Sequence, residues 1–148
     1  MENLTTKELL RSKEEKRILT GKISGIEDEY YKLKGEKISC AIVWYGGIKV
    51  LIPCTHLGIE KINKSMIRGM LGAEIDFIVI EFDSTSNIAI ASRKDAMILR
   101  SQIEFQKLKE NDVVRVRILA VGVKHIIVEL YGKAVSYTHL RAHETLRH

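Results

Sequence analysis

Proline and cysteine are both scarce in this sequence, with one proline and two cysteines among 148 residues. Cys40 and Cys54 are far apart and form no CxxC motif, so a disulfide framework is not indicated and a reducing compartment is expected. No apolar run approaches the roughly 20 residues that a membrane-spanning helix needs. The segment after Glu2 also lacks the pattern of a signal peptide. We therefore expect a cytoplasmic protein that does not enter a membrane.

Catalytic and metal-binding patterns are missing as well. The adjacent glycines, Gly46 and Gly47, indicate a turn and not a phosphate-binding loop. Cys40, Cys54 and His56 could supply three zinc ligands, but a fourth is not evident. Cys54 and His56 also lack an orienting third group for nucleophilic catalysis. We expect a protein that is not an enzyme and that uses no metal or cofactor.

The composition is that of a folded, mildly basic domain. Hydrophobic residues make up 45% of the chain, which supports a packed core. The 24 basic residues exceed the 19 acidic ones, giving a formal charge of +5. This excess permits an anionic partner, although solvated lysine faces produce the same balance.

Short apolar runs, rich in β-branched residues, predict five strands in the first two thirds of the chain. The predicted strands span residues 17–26, 38–45, 48–53, 74–82 and 88–91. A longer crossover, with a short helix near 64–70, separates the third strand from the fourth. This order favours an OB-type barrel, with an SH3-like barrel as the alternative. In the last strand Ile88 and Ile90 are expected inside and the alanines outside.

The predicted fold class is all-β: a five-stranded OB-type barrel at 17–94, flanked by smaller segments. Residues 1–16 predict an N-terminal helical arm that is only lightly docked, because its apolar stripe is thin. The segment 27–37 is predicted to be a polar connection between the first two strands, with strand-like ends as an alternative. Residues 95–108 predict a linker helix that begins after Ser92. Residues 109–133 repeat the order of the opening strands and predict the first two strands of a truncated second barrel.

The tail at 134–148 departs from every pattern before it and is left out of the fold prediction. The letters VSYTHLRAHET at 135–145 resemble the translation of a transposase sequencing adapter. A histidine-rich, metal-binding tail is the alternative. On the first interpretation the tail is not native, and about three more strands are expected after Lys133.

Four motifs resemble a known family. They are GKI at 21–23, GGIKVLIP at 46–53, GAEI at 72–75 followed by Asp83, and ASRK at 91–94. Together they resemble the S-one RNA-binding motif, the repeat of the largest small-subunit ribosomal protein, as found in phage-associated or bacterial tandem proteins. Pro53 stands where this family often has a histidine. The resemblance covers about 17–94 and the opening of a second copy at 109–133.

The resemblance implies binding of single-stranded RNA, with single-stranded DNA as a further candidate, across strands two and three. Only one of two adjacent strand residues can face outward, so Trp44 and Tyr45 are alternative stacking platforms. The predicted contact residues are Lys22, Tyr31, Trp44, Tyr45, Lys49, His56, Arg93 and Lys94. The alternative function is protein docking, on the ribosome or in a phage-associated complex.

Sequencing the source locus tests the interpretation of the tail. We expect the native reading frame to continue after Lys133 with strand-forming sequence in place of the adapter-like residues. A native stop codon directly after His148 would contradict this expectation.

Overall fold

The structure, a computed structural model, describes residues 3–31, 36–59, 64–104, 107, 109–121, 125–130 and 133–138. These residues form eight strands and three helices. The helices are α1 (Leu4–Glu15), α2 (Lys64–Gly69) and α3 (Arg93–Ile103), and a 3-10 turn spans Cys54–His56. The strands are β1 (Leu19–Tyr31), β2 (Glu36–Tyr45), β3 (Ile48–Pro53), β4 (Glu74–Asp83), β5 (Ile88–Ser92), β6 (Arg117–Val121), β7 (His125–Leu130) and β8 (Lys133–Thr138). None of the described helices is long and apolar enough to cross a bilayer.

The first five strands close into a barrel in the order β1-β2-β3-β5-β4. Strands β3 and β5 pair in parallel, and the other neighbours are antiparallel. This ring is compatible with an OB-like barrel. The expectation of an all-β chain needs correction, since the described residues are mostly β but also include three helices. Helices α1 and α3 both pack on β4.

Strand β1 bends so that it can pair with two neighbours. Its first part pairs with β4, and from Ile23 onward it pairs with β2, with a register shift between Ile23 and Gly25. A side chain at Gly21 would place its Cβ 2.5 Å from Cγ1 of Val43, so the close approach of β2 favours glycine at this position. The strand continues to Tyr31, beyond its predicted end. This extension pairs with β2, where Ser39 donates to Asp28, and its sequence, EDEYY at 27–31, has no apolar alternation to detect.

The barrel interior is filled by large residues from β2, β3 and β4 and by small ones from β5. Ala89 and Ala91 are fully buried in the core, whereas Ile88 and Ile90 lie half-buried outside it. The predicted assignment of the two faces of β5 is therefore wrong. The register explains the difference: Ala89 lies beside Val50, and the core there is already occupied by bulky side chains.

Helix α1 is docked more firmly than its thin apolar stripe suggests. Leu9 is fully buried in the core. The Ser12 hydroxyl donates to the carbonyl of Arg17 (2.7 Å) and accepts from the backbone N–H of Val79 (2.9 Å). The helix is capped by Asn3, whose side chain accepts from Thr6 N–H. One deeply buried leucine and one bridging hydroxyl thus hold the helix against β4.

The second sheet, ordered β6-β7-β8, packs against the barrel and contributes Leu119 to the same core. Helix α3 leads to it and begins at the predicted cap, because the Ser92 hydroxyl accepts from Asp95 N–H at 3.0 Å. Ile103 is exposed, although it lies about two helical turns after the buried Ala96. Strand β8 falls mostly in the segment left out of the fold prediction, and it pairs with β7 along its whole length.

A buried charge cluster joins the second sheet to the barrel. Nη2 of Arg93 donates to Oε1 of Glu129 at 2.6 Å. Asp76 on β4 receives Nη1 of Arg100 at 2.5 Å and faces Nη1 of Arg117 at 2.9 Å. Arg117 also approaches Oε2 of Glu129, at 3.6 Å. These five residues, which we call the arginine cluster, come from β4, α3, β6 and β7.

Burial and charge oppose each other in this cluster. Desolvation alone would raise the pKa of Asp76, but hydrogen bonds from Arg100 and Thr20 and the contact with the Arg117 guanidinium outweigh it and lower the pKa. Desolvation lowers the pKa of Arg93, and the Glu129 carboxylate partly offsets this effect. The Arg93 side chain is 0% exposed and also donates to the carbonyl of Leu57 at 2.6 Å. Removing Arg93 therefore leaves the buried Glu129 carboxylate with only the longer, 3.6 Å contact to Arg117.

Replacing Arg93 tests this account. We expect Arg93→Met to lower the free energy of unfolding by about 3–5 kcal/mol, since Glu129 would stay buried with only the 3.6 Å contact to Arg117. The double variant with Glu129→Leu should regain part of that loss, because no buried charge is then isolated. Urea denaturation measures both values. The matched control is Lys94→Met at the exposed neighbouring position, where a change within about 0.5 kcal/mol is expected. Equal losses for the two single variants would contradict the account.

Candidate nucleic-acid interface

Side chains on β2 and β3 alternate between the barrel interior and the outer surface. Val43 and Val50 are register partners and are fully buried in the core. Trp44 and Lys49 form the next pair, so both point outward. We call the outward-facing set Cys40, Ile42, Trp44, Lys49 and Leu51 the β2–β3 face.

Trp44 is the exposed aromatic of this face. Its exposed fraction is 58%, which leaves much of the indole accessible to a ligand. The alternative in which Trp44 lies in the core is wrong. The Gly46–Gly47 turn keeps the hairpin tight, since both glycines have positive φ, at 56° and 85°. This turn fixes the register in which Trp44 lies beside Lys49.

Tyr45 points the other way and connects the barrel to helix α1. Its ring packs edge-to-face on Phe77, with 5.9 Å between centroids. Its hydroxyl donates to the carboxylate of Glu8. Burial raises the pKa of Tyr45 to about 12, aided by the hydrogen bond and the charge of Glu8. Tyr45 is therefore part of the helix-docking contact and is not available for stacking on the outer face.

The centre of the β2–β3 face is apolar and largely covered. Cys40, Ile42 and Leu51 form a small cluster of buried residues, against which Ile88 of β5 packs. A salt bridge between Lys49 and Glu27 spans β2, because Lys49 lies on β3 and Glu27 lies on β1 opposite Cys40. The two side chains are 21% and 36% exposed. Two outward features of this face thus remain accessible, the Trp44 indole and the rim of the salt bridge.

Two other predicted contact residues do not lie on this face. Arg93 is fully buried in the arginine cluster, so its guanidinium cannot reach a surface ligand in this conformation. Lys22 is paired with Glu74, in the part of β1 that adjoins β4 and not β2. The ASRK motif therefore has a structural use here: Ser92 caps α3, and Arg93 holds the second sheet.

The remaining three predicted residues lie around the barrel. Lys94 is exposed in the first turn of α3. His56 is half-buried in the turn that follows β3. Tyr31 is the last residue of β1 and pairs with Glu36, and its side chain lies outside the described residues.

The sequence prediction missed Glu27 and Glu8, which contact two of the predicted residues. Both lie in segments without apolar alternation, so neither was assigned to a face. Within the described residues, no group of three His, Cys, Asp or Glu is placed to hold a metal ion, which includes the Cys40, Cys54 and His56 set.

Comparison with known proteins adds no family to this geometry. No protein-family model matches the chain, and no curated protein matches it. The class of protein that the structure defines is a closed five-stranded barrel that carries an exposed tryptophan beside a lysine on one face.

The contact between Tyr45 and Glu8 predicts a stabilising effect that alkali removes. Because the pKa is raised above the ordinary 10.0 of tyrosine, the contribution is fully present below about pH 10 and is lost as pH rises through about 12. We expect one phenol to titrate near 12 by ultraviolet absorbance. Tyr45→Phe should abolish that phase, and Glu8→Gln should move it towards 10. Simultaneous titration of all tyrosines in the folded protein would contradict the contact.

Proposed function

We propose that residues 17–94 form an OB-type barrel of the S-one kind and bind single-stranded RNA on the β2–β3 face. The observation that carries the proposal is the outward-facing Trp44 beside Lys49, on the strands that OB folds use for oligonucleotides. The ring order β1-β2-β3-β5-β4 and the four sequence motifs support it. On this proposal residues 109–133 are the opening of a second such barrel.

An indole and an ammonium group make complementary contacts with a single strand. Stacking of one base on an aromatic ring contributes about 1–3 kcal/mol, whatever the base. Lys49 can contact the neighbouring phosphate, a contact that weakens with salt. Neither interaction reads the edge of a base, so low sequence specificity follows. The β2–β3 face therefore offers one stacking contact and one phosphate contact, and the proposed binding needs no catalytic group.

The proposal predicts that Trp44→Ala weakens binding of a labelled oligouridylate by about fivefold to 150-fold, the equivalent of one lost stack. Trp44→Phe should retain most of the affinity. Lys49→Gln should make the plot of the logarithm of the binding constant against the logarithm of the salt concentration less steep, by about 0.7 in slope. Fluorescence anisotropy at several salt concentrations measures all three.

Two exposed positions away from the face provide matched controls. Ile103→Ala removes an exposed apolar side chain of α3, and Lys109→Gln removes an exposed lysine. Ile103→Ala should leave the affinity for the oligouridylate unchanged. Lys109→Gln should lower it only by the small effect of losing one distant positive charge. Absence of binding by the unsubstituted protein at low salt would overturn the proposal. Equal effects at Trp44 and Ile103 would show that binding does not use this face.

Protein docking remains a second candidate because of one observation. The charge of Lys49 is balanced by Glu27, and the face beneath is apolar. A surface of that kind also suits a protein partner. A partner interaction that survives nuclease, is lost in Trp44→Ala and does not respond to salt would favour docking over RNA.

A further inference from the structure

The salt bridge between Glu27 and Lys49 lies on the β2–β3 face, where the proposed function requires a contact between Lys49 and a phosphate. Both side chains point outward, and they come from strands on either side of β2. Their side chains are 21% (Lys49) and 36% (Glu27) exposed, so the pair is partly withdrawn from water. Register places Glu27 opposite Cys40 and Lys49 opposite Trp44, at the two ends of the buried apolar cluster.

A carboxylate and a phosphate oxygen make the same kind of contact with an ammonium group. Lys49 cannot keep its full interaction with Glu27 and also contact a phosphate, because the two anions repel each other at short range. The exchange can occur, since the Glu27 side chain is more than a third exposed and a phosphate oxygen replaces its carboxylate on Lys49 with a contact of the same kind.

We infer that Glu27 is an internal competitor that regulates access of anionic ligands to the β2–β3 face. In the free protein it neutralises Lys49 and keeps the pair closed over Ile42 and Leu51. A bound single strand displaces its carboxylate with a backbone phosphate. This inference rests on the proposed function and adds a residue that sets affinity without touching the ligand itself.

The inference has a direct consequence for ligand choice. A neutral or weakly charged ligand cannot displace the carboxylate, so it would find the apolar centre covered. A polyanion can make the exchange, and it also gains stacking on Trp44 at the edge of the same face. Glu27 therefore favours ligands that present a phosphate and a ring together, as a single-stranded nucleic acid does.

A double-mutant cycle between Glu27 and Lys49 tests the inference. Glu27→Gln keeps the shape of the side chain and removes its charge. We expect it to tighten binding of a labelled oligouridylate roughly fivefold at low salt, as measured by anisotropy. In the Lys49→Gln background the same change should have much less effect, because no ammonium group remains for the two anions to share. Glu110→Gln, at an exposed turn residue, controls for the loss of one negative charge elsewhere.

Each outcome of this cycle is decisive. Tightening that requires Lys49 and is absent in Glu110→Gln supports the competitor role. Tightening of the same size with and without Lys49 assigns Glu27 a general electrostatic effect and overturns the inference. Unchanged or weaker binding in Glu27→Gln, with binding by the unsubstituted protein intact, overturns the inference alone. If neither the unsubstituted protein nor Glu27→Gln binds RNA at low salt, the proposed function fails and the inference fails with it.

Discussion

The Asp76 carboxylate is the contact on which the arrangement of the outer elements depends. It lies on β4, accepts from Thr20 of β1, and faces arginines from α3 and β6. Because it is nearly inaccessible to water, these partners are required for its charge to persist in the interior. One acidic residue thus sets the position of a neighbouring strand, a covering helix and the second sheet. Arg93 and Glu129 extend the same network to β7.

Strands β2 to β5 could be predicted from the sequence to within about two residues, because each has an apolar face that must be buried, whereas β1 continues through a polar segment beyond its predicted end. Strand β3 matches its predicted bounds, and the turn at Gly46 and Gly47 fixes the hairpin. The faces of β5 could not be predicted, since its alternation of isoleucine and alanine is equally regular in either orientation. Only the neighbouring strand decides it: Val50 and the bulky residues around it leave room for alanine.

The candidate site was less predictable than the fold. The sequence predicted that Lys49 and one of two aromatic residues face outward, because successive side chains of a strand point to opposite faces. It did not decide between Trp44 and Tyr45, because that choice depends on Glu8 and Phe77, which are distant in sequence. The prediction that Arg93 lies on the surface was wrong for a similar reason. Its burial depends on Glu129, in a segment whose pairing with the barrel no local pattern indicates.

The Ser12 contact has a consequence for self-association. Among the described strands, β4 pairs with β1 only through Phe77, so the later part of that edge has no strand beside it. An uncovered edge is a template on which another chain can add a strand. The Ser12 hydroxyl occupies the Val79 N–H at the point where the pairing stops, and α1 lies against the same strand. Helix α1, in which half of the 12 residues are charged, thereby covers the part of this edge that has no strand beside it.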